Sequence, residues 1–542
     1  MKIIKKFINK NWFILLITIV ALARILLSCN LPSFYINNLR YDDKLMINQS
    51  NSLNEGNYLG EYSDLTLVKG IIYPMFLHIS NIFNLDYGML LTIMYIIGCL
   101  YFVYSLNKII KNKLILTIIY VFTIFNPISY SSDLFQRLYR NSLSIIELLF
   151  FFGTIINIIS SKKDNIINYI FLGIITGTMF LTREDNIWVV LVYAILIIYK
   201  LYKGIKIKNI LLLLTPVLVT STLLNIVCYI NYKNYGIYTY NELSNSNFKK
   251  AYIKILQIKD EKKIDKTSIP KSTLYKLVEN SKIFNLSKEY IDIKYKILSQ
   301  GTDEIYNGNM IWYLRFWIYQ QNKFKNGEDA NKYFERLSNE IDELFIAGKL
   351  EKEFVIPSVN IHAPTINEIK ELPKNLIYAI YYTTTYKNVK TFSTKDIIEK
   401  FKYNKDIKAY YTNYSDYHNA ENIIDNNPIG YEIIRNIYKY FTIIFSLAAF
   451  IIYIKHIKVK DKLNLILHIF FIVYLTIICG VTYTHTTAFD AIRYCYLGNI
   501  YILQNLFIFL NLYRIYDKNR NVNESKLLES GGQNDFSNNS SI

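Results

Sequence analysis

The chain has 542 residues, 52% of them apolar and gathered into runs long enough to cross lipid, which excludes an ordinary soluble globular enzyme. Its formal charge of +18, from 61 Lys and Arg against 43 Asp and Glu, argues for membrane insertion rather than nucleic-acid binding, because much of the excess sits in short loops between apolar runs. The five cysteines, Cys29, Cys99, Cys228, Cys479 and Cys495, lie in or beside those runs, which leaves the hydrophilic part without a disulfide framework or a cysteine metal site.

The first apolar run, residues 12–29, follows Lys2, Lys5, Lys6 and Lys10 and is expected to leave the cytoplasm through the membrane. Leu26-Leu27-Ser28-Cys29 resembles a weak lipoprotein cleavage box, but Arg24 inside the run favours a retained helix. Runs at residues 85–106, 114–130, 143–159, 167–181, 187–201 and 210–230 complete an N-terminal membrane domain of seven spans, residues 1–230. Lys108, Lys111 and Lys113, then Lys162 and Lys163, then Lys200, Lys203, Lys206 and Lys208 fall in every second connection, which marks those loops as cytoplasmic. Loops 30–84, 131–141 and 182–186 are then expected on the outer face.

Residues 231–436 read as a mainly helical soluble insert on that same outer side. Within it Ile311-Trp312-Tyr313-Leu314-Arg315-Phe316-Trp317 is aromatic at helical spacing, which suits either a helix resting on the bilayer surface or, the better match, a helix burying one face in the insert's core. Residues 437–514 form a C-terminal membrane domain with spans at 438–454, 463–483 and 494–512, a basic connection at 455–462 and an outer loop at 484–493. The polar tail 515–542 is expected to be disordered and cytoplasmic. The fold class is thus an all-α polytopic membrane protein of about ten transmembrane helices, in a bacterial cell membrane with both termini cytoplasmic.

The first outer loop carries Arg40-Tyr41-Asp42-Asp43-Lys44-Leu45 and, later, Lys69-Gly70 ahead of Tyr73-Pro74. A carboxylate beside the bilayer surface can serve as a general base, and adjacent residues point in different directions, so at most one of Asp42 and Asp43 faces a reacting centre. A lysine at headgroup level suits a lipid phosphate, whose growing charge on departure it stabilises. Arg137, Arg140, Arg183 and Arg493 also lie in outer loops, against the insertion bias, and anion recognition is one reason for that placement. Simple pairing is the other, since Asp133 is four residues before Arg137 and Glu184 and Asp185 follow Arg183. Arg24 either reaches the headgroups or meets a loop carboxylate. Asp64, Glu184 and His485 are accessory candidates; the six histidines show no metal-ligand spacing, although a divalent cation remains a candidate cofactor.

A basic N-terminus, one span, an outer loop with Asp42-Asp43, Lys69-Gly70 before Tyr73-Pro74 and a bundle of further spans together resemble the GT-C glycosyltransferases. The likeness is to polyprenyl-phosphate-sugar users related to protein O-mannosyltransferases and the lipid A aminoarabinose transferase, the family 39-like enzymes. It covers roughly residues 1–230. It implies that Asp42, the leading acid, is the catalytic base, that Asp43 is the second acid where many relatives have Glu, and that Lys69, Arg137, Arg140 and Arg183 bind the donor phosphate. The insert between the seventh and eighth spans departs from the usual placement of the soluble domain. The implied activity is inverting sugar transfer from a polyprenyl phosphate to a glycan, lipid or protein acceptor. A transporter or flippase of a lipid-linked saccharide is the alternative.

Overall fold

The computed structural model describes residues 2–29, 31–38, 42–202, 204, 207–299, 303–322, 324–356, 358, 363–413, 415–417 and 428–534, so Arg40 and Tyr41 of the acidic motif lie outside the described residues. The molecule is mostly helical. Helix α1 (Lys2–Ser28) leads to a short strand β1 (Phe34–Ile36), then α2 (Asp42–Asn54) and α3 (Ile72–Ile82) fold within the first loop. Next come α4 (Tyr87–Leu106), α5 (Lys113–Ile124), a 3-10 turn (Pro127–Tyr130), a π turn (Ser132–Gln136), α6 (Asn141–Ser160), α7 (Ile166–Thr182), α8 (Trp188–Tyr202) and α9 (Ile207–Tyr235). Local chemistry sets several of these bounds. Asp86 Oδ1 accepts from Gly88 N and Met89 N to start α4, and Asn112 does the same for α5. Pro127 forces Asn126 into an extended conformation, so α5 stops at Ile124, short of the apolar run that extends to residue 130.

Past α9 the chain forms α10 (Asn247–Leu256), α11 (Lys271–Asn280), α12 (Lys288–Leu298), α13 (Asn307–Asn322) and α14 (Gly327–Ile346). These share a core of their own around Trp317, Tyr252, Phe334 and Ile341, into which Val68 of the first loop is also buried. Then follow α15 (Ile366–Thr384), α16 (Thr394–Lys400), β2 (Lys402–Asn404), β3 (Ala409–Thr412), α17 (Ile429–Lys455), α18 (Lys462–Thr487) and α19 (Tyr494–Asn534). The expectation of one mainly helical insert over 231–436 needs revising in two ways. Helix α15 leaves the insert core and packs on α18 and α19, with Ala379, Tyr382 and Tyr386 in the core of the main bundle. A three-stranded sheet ordered β1-β3-β2 also ties the insert to the first loop, β1 running parallel to β3 in the register Phe34↔Tyr410 and Ile36↔Thr412. The tail differs as well, because the α19 backbone stays helical to Asn534, with residues 535–542 outside the described residues.

Each of the ten apolar runs corresponds to one helix, and among the described residues seven helices are long and apolar enough to cross a membrane, with α5, α7 and α8 shorter. The chain is a multi-pass membrane protein. Its apolar residues face outward as a belt, including Ile14, Ile19 and Leu26 on α1, Leu211 and Leu218 on α9 and Ile444 and Leu447 on α17, all exposed as lipid contact requires. Helix α6 is buried along nearly its whole length at the centre of the bundle. Helices α7 and α9 pack closely at Gly173, where an added Cβ would stand 2.8 Å from Pro216 O.

Candidate active site

The first turn of α2 carries the two carboxylates, and the structure separates their roles. Asp43 is fully buried. Its Oδ2 accepts from Ile36 N at 3.0 Å and from Arg137 Nε at 2.7 Å, while Oδ1 accepts from Arg137 Nη2 at 2.7 Å. This is a bidentate pair, the geometry that a guanidinium fork matches best. Arg137 also donates to Asp133 Oδ1 at 3.2 Å, and Asp133 in turn accepts from the Tyr417 hydroxyl and lies 3.8 Å from Arg493. Leu138 N donates to Phe34 O at 2.8 Å, fastening the same loop to β1. Complete burial pushes the Asp43 carboxyl up despite Arg137 and the Ile36 amide. Asp43 and Arg137 therefore hold α2, β1 and the loop before α6 together, with Arg137 engaged by Asp43 and Asp133.

Asp42, one residue earlier, is turned the other way and its side chain is 22% exposed. Its Oδ2 stands 3.3 Å from Lys69 Nζ and 3.3 Å from Arg140 Nε. Arg140 reaches across to Glu184 Oε2 at 2.8 Å and donates to Thr182 O at 3.1 Å. Four segments of the chain thus meet: the start of α2, the stretch before α3, the start of α6 and the turn after α7. Lys69 is delivered by its neighbour, because Gly70 is clamped against α7 so tightly that a Cβ there would fall 1.7 Å from Leu181 O. Burial pushes the Asp42 carboxyl up, but Lys69 and Arg140 together outweigh it and leave it below the usual carboxylate range. Glu184 is likewise raised by burial, and Arg140 with Lys69 brings it down to about 2. Arg183 pairs with Asp185, beside this cluster.

The remaining sequence candidates lie elsewhere. Asp64 accepts from Arg315 Nε through its carbonyl oxygen, at the contact between the first loop and α13. His485 pairs with Asp490 at 2.9 Å, at the end of α18. Arg24 is buried and finds neither headgroup nor carboxylate: it donates to Ser129 O and stacks over the Tyr130 ring at 5.1 Å. Glu147 is buried two turns along α6 from Arg140 and accepts from Thr182 Oγ1 at 2.6 Å. The described residues hold no group of three or more His, Cys, Asp and Glu side chains fit for a metal ion. Asp42 and Asp43 face basic groups instead, so a divalent cation does not suit this donor set.

Sequence reasoning missed Trp312, whose ring lies 4.8 Å from Lys69 Nζ. Its segment reads as helix-core aromatic, and nothing in the spacing ties it to a lysine more than two hundred residues away. It also missed the buried Arg315–Glu242 pair, which with Tyr62 fastens α13 to the first loop. The insert is consequently the wall of the site on the Lys69 side. No protein-family model matches the chain, and no curated protein or solved structure matches it either.

Proposed function

We propose that the protein is a membrane glycosyltransferase of GT-C type, moving a sugar from a polyprenyl-phosphate donor to an acceptor on the non-cytoplasmic face of a bacterial cell membrane. The observation that carries this reading is the convergence of Asp42 and Lys69, from separate segments of the first loop, with Arg140 at the start of α6, Asp42 being the partly exposed member. Asp42 takes the proton from the acceptor hydroxyl or amine. The acceptor atom bonds to the anomeric carbon from one side as the bond from that carbon to the phosphate oxygen breaks on the other, so configuration inverts. The electron pair leaves with the phosphate, whose added charge falls against Lys69, Arg140 and Arg183. The transition state shares the oxocarbenium character of glycoside hydrolysis.

In this reading all ten apolar helices cross the bilayer, both termini are cytoplasmic, and the insert lies outside with Trp312 over the site. Purified protein given polyprenyl-phosphate sugars and a panel of acceptors tests it: transfer is expected, and full activity in an Asp42→Asn, Asp43→Asn double variant would overturn it. A second reading, transport of a lipid-linked saccharide, draws on Arg24 and Glu147 buried in spans, where ionisable groups tend to be functional. Movement of labelled lipid across liposomes without covalent change would favour it.

A further inference from the structure

The cations that a lipid phosphate requires are already engaged, and what they hold is the base. Asp42 offers one oxygen, Oδ2, to both Lys69 Nζ and Arg140 Nε at 3.3 Å. That is longer than the roughly 2.8 Å of a good charge-assisted hydrogen bond. Arg140 Nε is buried and makes no hydrogen bond at all, although the same guanidinium is well satisfied by Glu184 and Thr182 O on its other side. One edge of Arg140 is therefore committed to the turn after α7, and the other presents a donor to Asp42 without closing on it. Lys69 is held between Asp42 and the face of Trp312. The groups facing Asp42 are Lys69, Arg140, Glu184, its neighbour Asp43, and the phenols Tyr139 and Tyr496. Lys69 and Arg140 balance Asp42 and Glu184, so the cluster is near neutral with nothing bound.

A carboxylate neutralised in this way is a poor proton acceptor, and a neutral cluster is a weak anion site. Both defects vanish together when an anion enters. We propose that the donor arms its own base: the lipid phosphate takes Lys69 Nζ and Arg140 Nε from Asp42, and Asp42 becomes competent to deprotonate the acceptor only after that exchange. This rests on the glycosyl-transfer reading. The balance is closed without any other reactant, since the acceptor proton goes to Asp42 and the leaving electron pair goes to the phosphate now held by the two cations. Binding is ordered, donor before acceptor, and without donor the site does not activate water.

Infrared difference spectroscopy on the full-length protein in nanodiscs tests the exchange. The carbonyl band of protonated Asp42, identified by its loss in Asp42→Asn, is followed against pH with and without polyprenyl phosphate, whose binding is measured separately by radiolabel. Removing two cations and adding a phosphate both favour the protonated acid, so the midpoint is expected to move up by about one pH unit or more. In Lys69→Gln, where one cation is already gone, the midpoint without lipid starts higher and the shift is smaller. If the lipid phosphate binds and the midpoint stays put, the arming exchange is overturned while the anion site stands. If it does not bind at all, both the exchange and the transferase reading fall.

Discussion

Two adjacent aspartates in one helical turn meet opposite surroundings, and the reason lies in direction. Residues one apart on a helix point about 100° apart, so Asp43 turns into the core to meet Arg137 while Asp42 turns toward Lys69 and Arg140. The dipeptide is legible in the sequence, and so is the principle that only one member acts. Which one is buried depends on an arginine 94 residues away, a separation that no local pattern encodes. Removing one member of a buried pair leaves an uncompensated charge, so Asp43→Asn or Arg137→Gln is expected to destabilise the protein by about 3–5 kcal/mol. Asp42→Asn, at the partly exposed site with longer ion pairs, should lower stability by less than either, which melting of the three variants in detergent checks. Glu184 adds a pH signature. Its folded-state pKa lies below its unfolded value, so its contribution to stability is complete above the ordinary glutamate range and is lost as pH falls toward 2. Melting temperature should drop over that window in the wild type and drop less in Glu184→Gln.

Among the elements, the apolar runs were readable because hydrocarbon thickness fixes their length, and each corresponds to one helix, although α5 stops short of its run and the helices Ile429–Lys455 and Tyr494–Asn534 extend well beyond theirs. The sheet was not readable. Strands β1, β2 and β3 have three or four residues each, and β1 and β3 pair across more than three hundred residues of chain. Nor could the spacing say that α15 would desert the insert for α18 and α19, since an amphipathic helix shows that it buries a face without naming the partner. Lys69-Gly70 stands out in the sequence for its charge, yet the glycine is what sets the geometry. A methyl group at Gly70 must displace the carbonyl of Leu181, moving the first loop off the end of α7 and Lys69 with it. Since a displacement of about 1 Å at a reacting centre costs on the order of 100-fold in rate, Gly70→Ala is expected to lower transfer by about that factor. An activity loss of less than twofold would show that the close approach to α7 does not position Lys69.

At the scale of the molecule, the charged groups divide between two ends of the bundle. Lys200 with Asp164, Arg514 with Asp461 and Lys462 with Ser160 O gather at one end, and the acidic motif with its arginines at the other. The alternation of lysine-rich loops predicts that the first of these ends is cytoplasmic, because positive charge resists translocation. It also assigns the insert to the same side as the site, which the contact between Trp312 and Lys69 requires. A cysteine at Phe354, which is 90% exposed in the insert, should react with a membrane-impermeant maleimide in intact cells, and one at Lys458 should not. The reverse pattern would turn the protein over and remove a non-cytoplasmic reaction. The transfer reaction itself is the sharpest test. Release of polyprenyl phosphate from a polyprenyl-phosphate sugar, measured with wild type and Asp42→Asn well below the melting temperature of both, is expected to fall by about 100- to 10,000-fold in the variant. Equal rates in the two proteins would contradict the assignment of Asp42 as the base.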